Sequence, residues 1–182
     1  MKEEKLSFEK VWLMFQETDK KINKLAIESD KTEKQIKNLG KEIGNLGNSF
    51  GRYTEGMLGP SIRKILNKLG AESAYANFTD PKKNKFEFDY VGTVNGSINK
   101  VFLVEVKTTL SEEHIKKFIE KLKIVSNEVS DFKGKKVIGA IASISYLEKD
   151  REIVLSNGLY FMNISNDIAK LDTPKSFVPK EF

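Results

Sequence analysis

Three side chains in one short stretch carry the types and spacing that could handle a phosphate: Asp89, Glu105 and Lys107. They lie in FEFDYVGTVNGSINKVFLVEVKTT, residues 86–109, which reads as two strands joined by a turn at Asn95-Gly96-Ser97. Pairing Asp89 with Glu105 around a loop over 95–99 collects Phe86, Phe88, Tyr90, Phe102, Val104 and Val106 on one face. Glu87, Asp89, Glu105 and Lys107, with Val91 and Leu103, fall on the other. A tight Asn95-Gly96 turn would shift the register by an odd number and mix charge into the core, so the pattern favours the longer loop. Two carboxylates directly opposite repel unless a positive charge sits between them. A hard divalent cation with oxygen ligands is the usual answer. Lys107, two residues past Glu105, projects from the same face and could hold a water or stabilise charge on a phosphoryl oxygen. An ordinary solvated strand face accounts for the same residues, and spacing alone leaves both readings open.

The elements around this hairpin are readable from periodicity. Ile62, Ile65, Leu66 and Leu69 mark a helix stopped by Gly70, with Gly59-Pro60 as a kink or restart. Glu55 stands just before it, near glycines and apolar residues, either close to another element or as a surface carboxylate. Residues 71–78 read as a strand, followed by a turn carrying Lys82, Lys83 and Lys85. Those three lysines could lie beside the carboxylates and suit a phosphate backbone, or could simply be solvated. Ser111 caps a helix over 112–130 whose buried stripe is Ile115, Phe118, Ile119, Leu122, Val125 and Val129. Its other face carries Lys116, Lys117, Lys121 and Lys123; His114, on the same helix, is left out of the site. Residues 137–144 are nearly all apolar and belong inside a sheet. A helix over 148–157 and a strand over 159–164 follow, and the tail with Pro174 and Pro179 is expected to be loosely held.

Before all this runs a heptad pattern over about 5–53. Phe8, Phe15, Ile22, Ser29, Ile36, Ile43 and Phe50 are seven apart, and Val11, Thr18, Leu25, Thr32, Leu39, Leu46 and Tyr53 repeat at an offset of three. Seven-residue spacing sustained this long predicts a coiled coil, with a bend or break near Gly40, Gly44 and Gly47. A lone helix cannot bury such a stripe; the same helix of a second chain, giving a homodimer, is the expected partner. Folding back on its own domain is the alternative. Eleven Lys or Arg against nine Asp or Glu over 1–54 describe a spacer or dimerisation arm rather than a basic nucleic-acid arm. The division expected is therefore 1–50 for the oligomerisation helix and 51–182 for an α/β domain.

Composition narrows the classes. The 182 residues are 39% hydrophobic with 12 Phe, enough for a sizeable core. No cysteine is present, which excludes disulfides, thiolate metal sites and a cysteine nucleophile. With His114 the only histidine, a zinc site is not expected. MKEEKLSFEK does not read as a signal peptide, and no apolar run approaches the length of a membrane span, so a cytoplasmic protein without a membrane partner is expected. The net charge of +5 is compatible with a nucleic-acid partner.

The order helix, three strands, helix, strand, together with these acids, resembles the PD-(D/E)XK, or restriction-endonuclease-like, nuclease superfamily over about residues 50–164. The family's helical glutamate would be Glu55, its second-strand acid Asp89, and its acid-x-lysine Glu105-Val106-Lys107. Some members carry Pro-Asp where this chain has Phe88-Asp89. The arrangement is also similar to a branch of that superfamily bearing a coiled coil. The resemblance implies a mixed central sheet flanked by helices, an αβββαβ core, preceded by the long helix. It implies Mg2+ (or Mn2+) held by Asp89, Glu105, the main-chain carbonyl of Val106 and, directly or through water, Glu55. Lys107 would orient or activate the attacking water. The function expected is a metal-dependent nuclease hydrolysing phosphodiester bonds in DNA as a coiled-coil dimer. The alternative is a non-catalytic interaction or nucleic-acid-binding protein on a degenerate nuclease fold.

Overall fold

The computed structural model of the chain describes residues 7–80, 82 and 86–182, with the backbone alone at 44–46, 48–50 and 52–55. Two compact units divide the chain, Met1–Gly51 and Arg52–Phe182. Helix α1, Phe8–Lys68, makes up the described part of the first unit and supplies the first helix of the second.

The expected break at the glycines and restart at Pro60 are not found: α1 runs through both. The reason is one of scale. Each glycine costs about 1 kcal/mol against alanine, and a proline removes one hydrogen bond locally, whereas a helix of 61 residues has many bonds to carry those losses. In the first unit the described heptad positions stand open to solvent, with Ile22, Leu25, Ile36 and Leu39 all more than half exposed.

The second unit is built on a six-stranded mixed sheet in sequential order. The strands are β1 (Ser73–Thr79), β2 (Glu87–Val94), β3 (Lys100–Thr109), β4 (Lys136–Ser145), β5 (Tyr160–Ser165) and β6 (Ile168–Leu171). The β1–β2, β2–β3 and β5–β6 pairs are antiparallel; β3–β4 and β4–β5 are parallel. Each parallel step needs a crossover, and α2 (Glu112–Glu128) and α3 (Glu148–Ser156) provide them. A short 3₁₀ turn, Ser130–Phe132, follows α2. The order α1-β1-β2-β3-α2-β4 is the αβββαβ order expected from sequence, and the domain is a mixed sheet flanked by helices.

Both sheet faces are covered. Ile115, Phe118, Leu122 and Val125 of α2 and Val154 of α3 pack on one face against Val101, Leu103, Val137 and Ile141. Leu58, Ile62, Ile65 and Leu66 of α1 pack on the other against Tyr90, Phe102, Val104, Ile138 and Ala140. That two-sided cover explains why β4 is nearly all apolar over 137–144. Gly139 lets α2 come close: a Cβ there would run into the side chains of Leu122 and Leu159.

The tail is not loose, contrary to expectation. Thr173 Oγ1 accepts from Phe161 N–H at 2.9 Å. Lys180 N–H donates to Gly158 O, and Phe182 N–H to Val137 O. Glu181 pairs with Lys136 at 2.8 Å and Lys100 at 3.2 Å. Pro174 and Pro179 exclude regular structure, yet single hydrogen bonds tie the residues after them to Gly158 and to Val137 of β4.

Candidate active site on the β2–β3 hairpin

The hairpin has the long-loop register. Tyr90 lies opposite Val104 and Val94 opposite Lys100, enclosing residues 95–99. The paired ladder ends at Tyr90 and Val104, one residue short of Asp89 and Glu105. The odd positions of β3 face α2: Val101 and Leu103 pack in that cluster, so Glu105 and Lys107 rise from the α2 side.

The expected face of β2 needs correction. Phe86 and Phe88 do not share a face with Tyr90. They pack on the α2 side with Val91 and Leu103, while Tyr90 packs on the α1 side with Phe102 and Val104. Alternation therefore breaks between Phe88 and Tyr90, at Asp89 itself. The neighbouring strand breaks at the same level, with Ala76 on the α1 side and Phe78 on the α2 side. Between them Asn77 adopts a left-handed conformation (φ 57°), which asparagine accommodates better than most residues. The disturbance turns Asp89 out of the regular pleat and lets its carboxylate reach across the hairpin.

Asp89 Oδ2 accepts a hydrogen bond from the main-chain N–H of Val106 at 2.5 Å. The carboxylate thus takes the place of the next rung of the ladder, which ends at Tyr90 and Val104. In a strand the N–H and C=O of one residue project to the same side, so the Val106 carbonyl also points toward β2, beyond the last rung. The Glu105 carboxylate, 15% exposed, is held between two ammonium groups: Lys107 Nζ to Oε1 at 2.6 Å and Lys121 Nζ to Oε2 at 3.3 Å. Lys121 also donates to the main-chain carbonyl of Glu87 at 3.1 Å and lies 5.3 Å from the Phe88 ring centre.

Asp89, Glu105, Val106 and Lys107 thus meet at one end of the hairpin. Lys121 joins them and was not singled out from sequence, where it belonged only to the basic face of α2. The signal was its place beside Leu122: a lysine flanking a buried stripe can lay its stem along the apolar surface and bring its ammonium to a carboxylate. Glu55 falls in α1, and its side chain lies outside the described residues. Lys82 is exposed in the turn, its N–H on Asp80 Oδ1 at 3.1 Å, and Lys83 and Lys85 lie outside the described residues.

The donors are all oxygen, two carboxylates and a carbonyl, which is the set that suits Mg2+ or Mn2+ rather than a softer metal. Among the described residues no three acidic or histidine side chains cluster as a metal site. By donor type, Asp89, Glu105 and the Val106 carbonyl are the groups that would suit such a cation.

No family model matches the chain, and no curated protein matches it. Three solved structures show a likeness. EndoMS in complex with dsDNA has a TM-score of 0.37 at 15% identity, covering 60% of this chain and 45% of that one. A repair endonuclease from Pyrococcus abyssi has 0.35 at 14%, covering 55% and 40%. A protein of unknown function from Silicibacter pomeroyi has 0.39 at 11%, covering 67% and 68%. The chain spans less than half the length of the first two. Likenesses this distant carry no argument about activity. Among the described residues no helix is long and apolar enough to cross a membrane.

Proposed function

We propose that the chain is a metal-dependent nuclease that hydrolyses phosphodiester bonds in DNA and works as a dimer through α1. The observation that supports this reading is the Asp89 carboxylate on the Val106 N–H at the end of β2 and β3, flanked by the Lys107–Glu105 pair. Asp89, Glu105, the Val106 carbonyl and Glu55 would hold Mg2+ or Mn2+. When bound, the cation supplies positive charge for the phosphoryl oxygens and acidity for a water. In the reaction a water oxygen bonds to phosphorus in line while the bond to the leaving oxygen breaks, and that oxygen takes up a proton. Lys107 orients the water or donates to a phosphoryl oxygen as negative charge builds there. Lys121, anchored on the Glu87 carbonyl, offers a second ammonium to the same charge. Lys82, Lys83 and Lys85 would meet the phosphate backbone. Isothermal titration with Mn2+ tests the site: one binding event lost in Asp89→Asn is expected, and heats identical in both chains would overturn the assignment.

The second reading is a non-catalytic interaction protein. Two observations favour it: the open stripe on α1, and a Glu105 carboxylate already neutralised by two lysines. Under that reading the lysine pairs are a finished structural network, and Mn2+ produces no heat in either chain.

A further inference from the structure

The apolar stripe of α1 stands open among the described residues and is flanked by charged positions. Both threonines among its described positions have turned their hydroxyls inward: Thr18 Oγ1 donates to Met14 O at 2.8 Å and Thr32 Oγ1 to Glu28 O at 2.9 Å. Each hydroxyl is thereby satisfied by its own helix, and the methyl is left to face a partner. Ile22, Leu25, Ile36, Leu39 and Ile43 continue the stripe, exposed throughout.

In a parallel, in-register pair the flanking residues meet as Lys21 with Ala26, Glu28 with Glu33, and Glu42 with Gly47 of the second copy. That set contains a like-charge contact, made twice by symmetry, and no opposite-charge contact. In an antiparallel pair with Ile22 opposite Leu39 and Leu25 opposite Ile36, the flanking contacts change. Lys21 meets Glu42, Glu28 meets Gln35, and Ala26 meets Glu33 of the second copy. The opposite-charge contact now occurs twice and no like charges meet. Ser29 falls opposite Thr32, so the polar layers sit together at the two-fold axis. Trp12 falls opposite Gly47, where the structure has nothing within 4 Å of a would-be Cβ, and Asp19 opposite Gly40, equally open. Sliding this pair by one heptad either way restores repulsion. One direction sets Glu28 against Glu42 and Glu33 against itself; the other sets Asp19 against Glu33 and Glu28 against itself.

We propose that α1 pairs with α1 of a second copy in antiparallel orientation, in the register that places Ile22 opposite Leu39. This deepens the dimer of the proposed function and rests on it.

The chain has no cysteine, so single cysteines introduced into the whole chain report pairing directly. Ile22→Cys alone should not form a disulfide dimer, because the two copies of position 22 lie 17 residues apart along the seam, roughly 25 Å. Mixing Ile22→Cys chains with Leu39→Cys chains should give a mixed disulfide under mild oxidation. Self-crosslinking of Ile22→Cys without the mixed product would overturn the antiparallel orientation while keeping the dimer. Sedimentation of the unaltered chain as a monomer at high micromolar concentration would overturn the dimer itself. As a second readout, Lys21→Glu should weaken dimerisation several-fold, and adding Glu42→Lys should restore it. A parallel seam, in which neither residue meets a charge, predicts no such rescue.

Discussion

Asp89 and Val106 are joined across the hairpin by the Asp89 carboxylate accepting the Val106 N–H, in the place where a strand carbonyl would ordinarily sit. One side chain would therefore have two duties, closing the ladder and, under the proposed function, offering a carboxylate to a cation. The duties separate chemically. Asp89→Asn keeps an acceptor oxygen for Val106 and removes the charge; Asp89→Ala removes both. Asparagine should leave the thermal midpoint nearly unchanged, whereas alanine should cost about 1–2 kcal/mol, the penalty of an unpaired, partly buried N–H. Equal midpoints for the two variants in a melting curve would show that the hydrogen bond contributes nothing.

Lys121 and Lys107 both pair with Glu105, with different consequences for a cation. Lys121 repels any divalent ion brought to that carboxylate, and its stem has a packing role that methionine can keep. Lys121→Met should tighten Mn2+ binding by about two- to fivefold, the worth of one partly exposed ion pair. Weaker binding in a titration would mean that Lys121 positions Glu105 rather than opposing the ion.

The chain's last residues provide a pH test of how the tail is docked. Hydrogen bonds from Lys136 and then Lys100 hold the Glu181 carboxyl below its ordinary value of 4.5. A carboxyl depressed in the folded chain contributes stability above its unfolded value and loses it as the pH falls through the folded value. The docking of Phe182 N–H on Val137 should therefore weaken only in acid, below about pH 4.5. In an NMR titration the Phe182 amide should show a step from Glu181 beside the one from its own α-carboxyl, and Glu181→Gln should remove the first and leave the second. A Phe182 amide that moves identically in the variant would contradict the coupling.

Much of this was legible in the chain and some was not, for identifiable reasons. The hairpin register could be read because the alternative puts charge in the core, and the strand over 137–144 because burial on both faces leaves it nearly all apolar. The break in alternation at Asp89 could not: it is shared with Asn77 on the next strand, whose left-handed backbone has no periodic signature. Lys121 was hidden because its contact is made across 16 residues by packing of α2 on the sheet. The continuity of α1 was missed by giving local weight to Gly40, Gly44, Gly47 and Pro60. The tail was missed because its prolines signal irregular backbone, which β6 and the bonds of Lys180 and Phe182 nevertheless tie down.

The most direct measurement is cleavage of a DNA substrate by the full chain with Mg2+, beside Asp89→Asn and Lys107→Ala purified as folded proteins. Cleavage by the unaltered chain that needs Mg2+, reduced about 100-fold or more in each variant, is the predicted result. Cleavage at undiminished rates in both variants, or none by the unaltered chain on any DNA form, would contradict a nuclease site at Asp89, Glu105 and Lys107.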